Sequence, residues 1–317
     1  MNYSYFYKHS YKNVEELDSL PKYDIFLAGY INSLRVIEPA KHIPADRKVW
    51  FVYEEEGPDL FLSGEEFVSI KSNEDYATLM KALKSFHLSG KRICVDATGF
   101  KVPYLMYLMR CMVAFRIKKF DIFYTEPTQY RNAENTQFSD MLSEVKLIDG
   151  MRGINTSRND NDLLIIAAGY DHSRIADVAN DRKDCKKKVL LFGFLAISPG
   201  MFQENILRAY KAEEAIATEC FKDMDSNIYA PAYDPFVTAQ EISEYINKQQ
   251  RSNHKPYTSI YLAPLSTKPQ AIGMALYFLW EYGWTKSINL IYPFCQHYIT
   301  DNSDGIARVW KYEIEIP

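Results

Sequence analysis

The sequence predicts an α/β protein of two tandem Rossmann-like domains, each with a mostly parallel sheet, related by internal duplication. Three observations predict it. Short, continuous apolar runs recur along the chain, as strands do when both faces of a sheet are covered. Apolar helical segments alternate with them, which is the pattern of right-handed βαβ units. The chain also resembles itself: Asp24–Ser33 matches Leu164–Ser173, and Lys48–Val52 matches Lys188–Phe192, both at a separation of 140 residues.

In the first half, strands are expected near 24–29, 48–53, 66–70, 92–97 and 119–124. In the second half they are expected near 163–168, 188–194, 227–230, 259–263 and 287–292. Helical patterns cover Asn73–Phe86, Val102–Phe115, Phe202–Ala217, Val237–Asn247 and Gln270–Tyr282. Arg92–Pro103 resembles Ser259–Pro269, and each leads through an apolar helix to a strand ending in tyrosine, Tyr124 and Tyr292. A strand-like run then closes each half, Val145–Ile148 and Val309–Ile314. The second copy is longer mainly between Ser198 and Asn227, where an amphipathic helix is read as inserted. The polar stretch Thr156–Asp162 is the linker candidate, which gives domains at 1–155 and 156–317.

Composition limits the function. The chain has 317 residues, 47% hydrophobic and 25% charged, which is enough to bury a core in each half. Its net charge is −4, which argues against genomic nucleic acid as a partner while leaving room for a local basic pocket. Arg182–Lys188 is the one dense basic run and reads as a solvated helix-to-strand loop. The start of the chain does not read as a signal peptide, and no apolar run approaches the roughly 20 residues of a membrane span. Five cysteines without CxxC spacing exclude a zinc site of that type and make a disulfide framework improbable. A cytoplasmic protein without membrane contact, metal or cofactor is expected, of undetermined oligomeric state.

In an open parallel sheet, ligands bind beyond the carboxyl ends of strands at the topological switch point. That rule selects the loops after the first and fourth strands of each half. After the fourth strands lie Thr98, Gly99 and Lys101, and Ser266, Thr267 and Lys268. A helix start with hydroxyls and a lysine suits an anion, although serine and threonine are also ordinary helix caps. After the first strand of the second half lie Tyr170, Asp171, His172, Ser173 and Arg174, the densest polar cluster in such a position. The first half carries Ile31, Asn32, Ser33, Leu34 and Arg35 there and lacks both the aspartate and the histidine. Arg174 could hold a phosphate or carboxylate, and Asp171 with His172 could move a proton near neutral pH. The sequence has no GxGxxG, GxxxxGK[ST] or GxSxG pattern. Glu54–Glu56 reads as a solvated acidic loop, and Gln129–Tyr130 and Gln296–Tyr298 follow the fifth strands.

The Ser266–Pro269 turn resembles the Thr-Lys-Pro-type loop of CRISPR-associated Rossmann-fold (CARF) sensor domains, and Val95–Gly99 resembles their Asp-x-Thr-Gly turn. Members of that family bind cyclic oligoadenylates between two such domains, and the ligand usually controls an attached effector. The resemblance covers about a dozen positions in two loops. It departs from the family where Leu265 and Ser266 replace the common glycine pair. Both halves are taken up by the repeats, so the resemblance implies a sensor that acts through an effector protein partner or degrades its ligand. The leading expectation is therefore a protein that binds or senses a nucleotide or another anionic small molecule, such as a cyclic oligonucleotide in bacterial defence. Two readings stand beside it. One is an enzyme on a nucleotide or phosphorylated metabolite that uses Asp171 and His172. The other is a non-catalytic interaction scaffold.

Overall fold

A computed structural model describes residues 7–54, 65–71, 74–130, 142–156, 158–197, 200–216, 221, 226–253, 255–295 and 303–316. The chain begins with β1 (Lys8–Tyr11), a 3-10 turn (Val14–Ser19), β2 (Ile25–Gly29), α1 (Leu34–His42), β3 (Lys48–Tyr53) and β4 (Glu66–Ile70). It continues through α2 (Tyr76–Ser85), β5 (Ile93–Asp96), α3 (Val102–Ala114), β6 (Lys119–Glu126), β7 (Gln129–Tyr130) and β8 (Leu142–Leu147). Next come β9 (Leu163–Ala167), α4 (His172–Asp181), β10 (Lys187–Gly193), α5 (Met201–Tyr210), α6 (Glu213–Ile216) and β11 (Ile228–Ala230). The last elements are α7 (Pro235–Asn253), β12 (Ile260–Pro264), α8 (Lys268–Trp280), β13 (Ile288–Cys295), β14 (Ser303–Asp304) and β15 (Arg308–Glu315).

The larger sheet has the order β1-β15-β6-β5-β2-β3-β4, and the smaller one β11-β10-β9-β12-β13-β8. Five strands of each are mutually parallel, β6-β5-β2-β3-β4 and β13-β12-β9-β10-β11, and the closing strands β15 and β8 run antiparallel to β6 and β13. Strands β2, β5, β9 and β13 are buried along their whole length, which explains why they read as unbroken apolar runs. The edge strand β4 is largely exposed. In the first unit Phe26, Tyr30, Trp50 and Val36 pack into one core. In the second, Leu164, Ile166, Phe192, Ile175 and Val178 do so. Each such fully buried apolar side chain stabilises the fold by roughly 1.5–3 kcal/mol. Between α7 and α8 the approach is close: a Cβ on Gly273 would lie 2.6 Å from the carbonyl oxygen of Pro235 and the Cβ of Thr238.

Two expectations are corrected. Val145–Ile148 does not close the first sheet, nor Val309–Ile314 the second. Instead β8 pairs with β13 and β15 pairs with β6, so the closing strands are exchanged. Accordingly one compact unit carries β1–β7 with β14 and β15, and the other carries β8–β13. A cut at 155/156 would therefore leave each sheet without its last strand. The reason is that an apolar strand pattern fixes which face is buried and says nothing of which edge it completes.

The second correction concerns register. Phe26 stands opposite Lys48, whereas Leu164 stands opposite Lys188. The pairing thus relates the first strands by two residues less than the separation that aligns Gly29 with Gly169. The strand order of the two parallel cores is nevertheless the same. The longer connection of the second unit carries α5 and α6 between β10 and β11. Helices α1 and α4, not delineated by the sequence patterns, follow β2 and β9. Among the described residues, no helix is long and apolar enough to cross a membrane.

Candidate functional site: the strand-end loops

The observed order places the switch point between β2 and β5 in the first unit and between β9 and β12 in the second. At both, backbones meet at distances that only glycine permits. A Cβ on Gly99 would stand 1.9 Å from the carbonyl oxygen of Gly29. A Cβ on Gly169 would stand 1.9 Å from that of Leu265. The loops chosen from the sequence are thus brought together within each unit.

In the first unit, Thr98 ties the sheet together. Its backbone N–H donates to Asp96 Oδ1 (2.9 Å), and its Oγ1 accepts from the N–H of Thr125 (2.9 Å). Lys101 caps α3 with no capping bond from its side chain. Its backbone N–H donates to the Tyr53 hydroxyl (3.0 Å), and its ammonium lies 4.5 Å from the centre of the Tyr53 ring. Tyr53 in turn packs on Tyr104, and Tyr104 on Tyr76, which gives this lysine an aromatic bed.

In the second unit, Asp171 is the buried cap of α4. It accepts from the N–H of Arg174 (3.4 Å) and from the Ser173 hydroxyl (2.5 Å). His172 is the first residue of that helix and is half-buried; Ser173 is exposed. Arg174 turns inward: it is buried, donates through Nη2 to the carbonyl of Pro293 (2.9 Å), and stacks 4.7 Å from the centre of the Tyr292 ring. Nearby, burial and then the charge of Asp171 push the Asp177 carboxyl up, against the pull of Arg174. Thr267 caps α8, accepting from the N–H of Gln270 (3.4 Å) while its hydroxyl donates to the carbonyl of Ala232 (2.5 Å). Ser266 and Lys268 are half-buried beside it, with Lys268 the first residue of the helix.

The sequence reading missed residues of α5 and α8 that frame these loops. Arg208 donates to the carbonyl of Tyr170 (3.3 Å) and covers its ring at 4.8 Å, while the Tyr170 hydroxyl donates to the carbonyl of Met201 (3.4 Å). Asn205 donates to the carbonyl of Ala168 (2.7 Å), and the fully buried Gln270 donates to that of Ala230 (3.3 Å). A polar residue on the apolar stripe of a helix is the signal that marks Asn205 and Gln270; no local pattern marks Arg208. Among the described residues, no group of three or more His, Cys, Asp or Glu side chains is placed to hold a metal ion. Glu55 and Glu56, Gln296–Tyr298 and Cys220 lie outside the described residues. In comparisons with known proteins, the chain matches no protein-family model and no curated protein.

Proposed function

We propose that this chain binds an anionic small molecule, a nucleotide, at its strand-end loops. The observation that supports the reading is the recurrence of one arrangement in two sheets of identical parallel order. A lysine stands at the start of the helix after the fourth strand in each, Lys101 as the cap of α3 and Lys268 as the first residue of α8. The positive end of a helix and an ammonium group together favour a phosphate. Arg174, Thr98, Asp171 and Thr267 hold the loops in shape, while Lys101 in the first unit, and Ser266, Lys268, His172 and Ser173 in the second, meet a ligand at the loops of their own unit. The shared strand order further supports descent of both units from one duplicated ancestor. The finer form of the proposal is a sensor of cyclic oligonucleotides resembling the CARF domains, acting through an effector protein.

Isothermal titration of the full chain with mononucleotides, linear dinucleotides and cyclic oligonucleotides tests it. The expected result is saturable binding weakened at least about tenfold by Lys101→Ala or Lys268→Ala. No heat with any of these nucleotides, or parental affinity in both variants, would sink the assignment.

A further inference from the structure

The first unit holds a second polar site at the opposite, amino-terminal edge of its sheet. A cavity of about 460 Å³ opens there, lined by Lys91, Arg92, Lys119, Asp121, Lys311 and Glu313 among its residues. That volume is within the range of small-molecule sites, roughly 300–1,000 Å³. Its floor is charged. Asp121 and Lys311 are both buried, and Lys311 Nζ stands 3.1 Å from Asp121 Oδ2 and 3.1 Å from Glu313 Oε1. The buried Tyr23 hydroxyl donates to Asp121 Oδ2 (2.5 Å). The two carboxylates of the floor outweigh its lysine by one negative charge. Three cations remain at the rim.

Those cations keep donor capacity. Lys91 donates to the carbonyl of Phe86 (2.7 Å), one bond for a group with three N–H donors. Lys119 is 56% exposed and pairs with Glu313 (3.5 Å) and Glu315 (3.4 Å), two partners for a group with three N–H donors. The Arg92 guanidinium carbon lies over the Tyr23 ring, 4.7 Å from its centre, and the guanidinium carries five N–H donors. In the second unit the matching place is differently built. Asn289, which stands in the pairing row that Asp121 occupies in the first sheet, accepts the backbone N–H of Gly153 (3.0 Å). There the chain's own backbone serves the position.

We infer that this cavity is a binding site for a small organic anion, with its phosphate or carboxylate held by Lys91, Arg92 and Lys119 and its hydroxyl groups donating to Asp121 and Glu313. A hydroxylated anion fits both ends: cations meet its charge and carboxylates accept its hydroxyls. The site is independent of the strand-end loops, which lie at the other end of the strands.

Calorimetric titration of the full chain with ribose 5-phosphate, inorganic phosphate and ribose tests this. The expected result is saturable binding of ribose 5-phosphate, tighter than inorganic phosphate, with ribose inert. Lys119→Gln, at a side chain 56% exposed, is expected to weaken it about tenfold or more, and Arg92→Gln similarly. The titration is repeated in a Lys101→Ala, Lys268→Ala chain, so that phosphate held at the strand-end loops does not contribute, and saturable binding of ribose 5-phosphate is expected to persist there. The inference is overturned if neither phosphate compound binds saturably, if Lys119→Gln and Arg92→Gln both bind as the parent does, or if the Lys101→Ala, Lys268→Ala chain no longer binds.

Discussion

Arg174 lies 4.7 Å from the centre of the Tyr292 ring and donates to the next carbonyl along β13, that of Pro293. Arg35 repeats this in the first unit. It lies 5.9 Å from the Tyr124 ring centre and donates to the next carbonyl along β6, that of Thr125, at 2.8 and 3.1 Å. In both cases an arginine from the first turn of the first helix pins the end of the fifth strand. The guanidinium sits on an aromatic face and feeds a carbonyl near the strand end. This tie links the loop after the first strand to a strand two places away, and so shapes the switch-point crevice between them.

Arg174→Ala should therefore act on stability before it acts on any ligand. It removes a charge-assisted bond and a stacked contact, together about 2–4 kcal/mol. Urea unfolding should show a lower midpoint for the second unit, and Arg174→Lys should not restore it, because an ammonium cannot stack and donate in that fork geometry. An unchanged midpoint in the alanine variant would show that the tie is dispensable.

The glycine contacts give a sharper test. A methyl on Gly99 or Gly169 would stand 1.9 Å from a carbonyl oxygen of the facing loop. Backbone on both sides leaves nothing flexible to yield, so Gly99→Ala and Gly169→Ala should each cost more than the roughly 1–3 kcal/mol of ordinary overpacking. Gly90→Ala is the control. Nothing lies near its added methyl, and only the backbone strain of its positive φ of 75° remains. Ranking the three by thermal midpoint checks the argument. If Gly99→Ala or Gly169→Ala matches Gly90→Ala, the loops do not meet as described.

Much of this was legible in the sequence for a physical reason. Strands such as β9 and β13, buried on both faces, leave continuous apolar runs that mark position and length together. The alternation with helices then implies the parallel order that puts the switch point where Gly99 and Gly169 meet their neighbours. The partners of β8 and β15 were not legible, since a strand pattern carries no address for the edge it joins. Nor was the direction of Arg174. An arginine one turn into a helix serves a ligand or a strand end equally well until Tyr292 and Pro293 are placed beneath it. Arg208 and Asn205 were missed because they come from α5, far along the chain from the loop they cover.

The buried Tyr23–Asp121–Lys311 chain predicts sensitivity to alkali. Burial first, and then Asp121, raises the Tyr23 phenol well above its usual range. Burial alone would lower the Lys311 ammonium, but Asp121 and Glu313 outweigh it and the net direction is up. Both groups hold their protons more tightly folded than unfolded. Their contribution is therefore complete below the ordinary values of about 10 and lost as pH climbs beyond them toward the raised folded values. Stability measured by denaturant titration should fall from about pH 10 upward, and the fall should be shallower in Tyr23→Phe. The same slope in parent and variant would remove Tyr23 from the account.

Cysteine chemistry should report the same packing. Cys94, Cys111, Cys185 and Cys295 are buried thiols outside any disulfide. Burial pushes the Cys94 thiol well up, and with the help of Asp162 it pushes that of Cys185 to about 12. Only the thiolate attacks, so at pH 8 these groups are both shielded and protonated. In a Cys220→Ser chain, a disulfide-exchange reagent should label none of the four at the rate of an exposed thiol, and all four should react once urea unfolds the chain. Intermediate rates would order the local openings: Cys94, between β2 and β6 on the central strand β5, should open only with the whole first unit, whereas Cys185, in the turn before β10, should open earlier. Fast native labelling of Cys94 would mean that β5 is not held between β2 and β6 and would undo the sheet order on which the crevice depends.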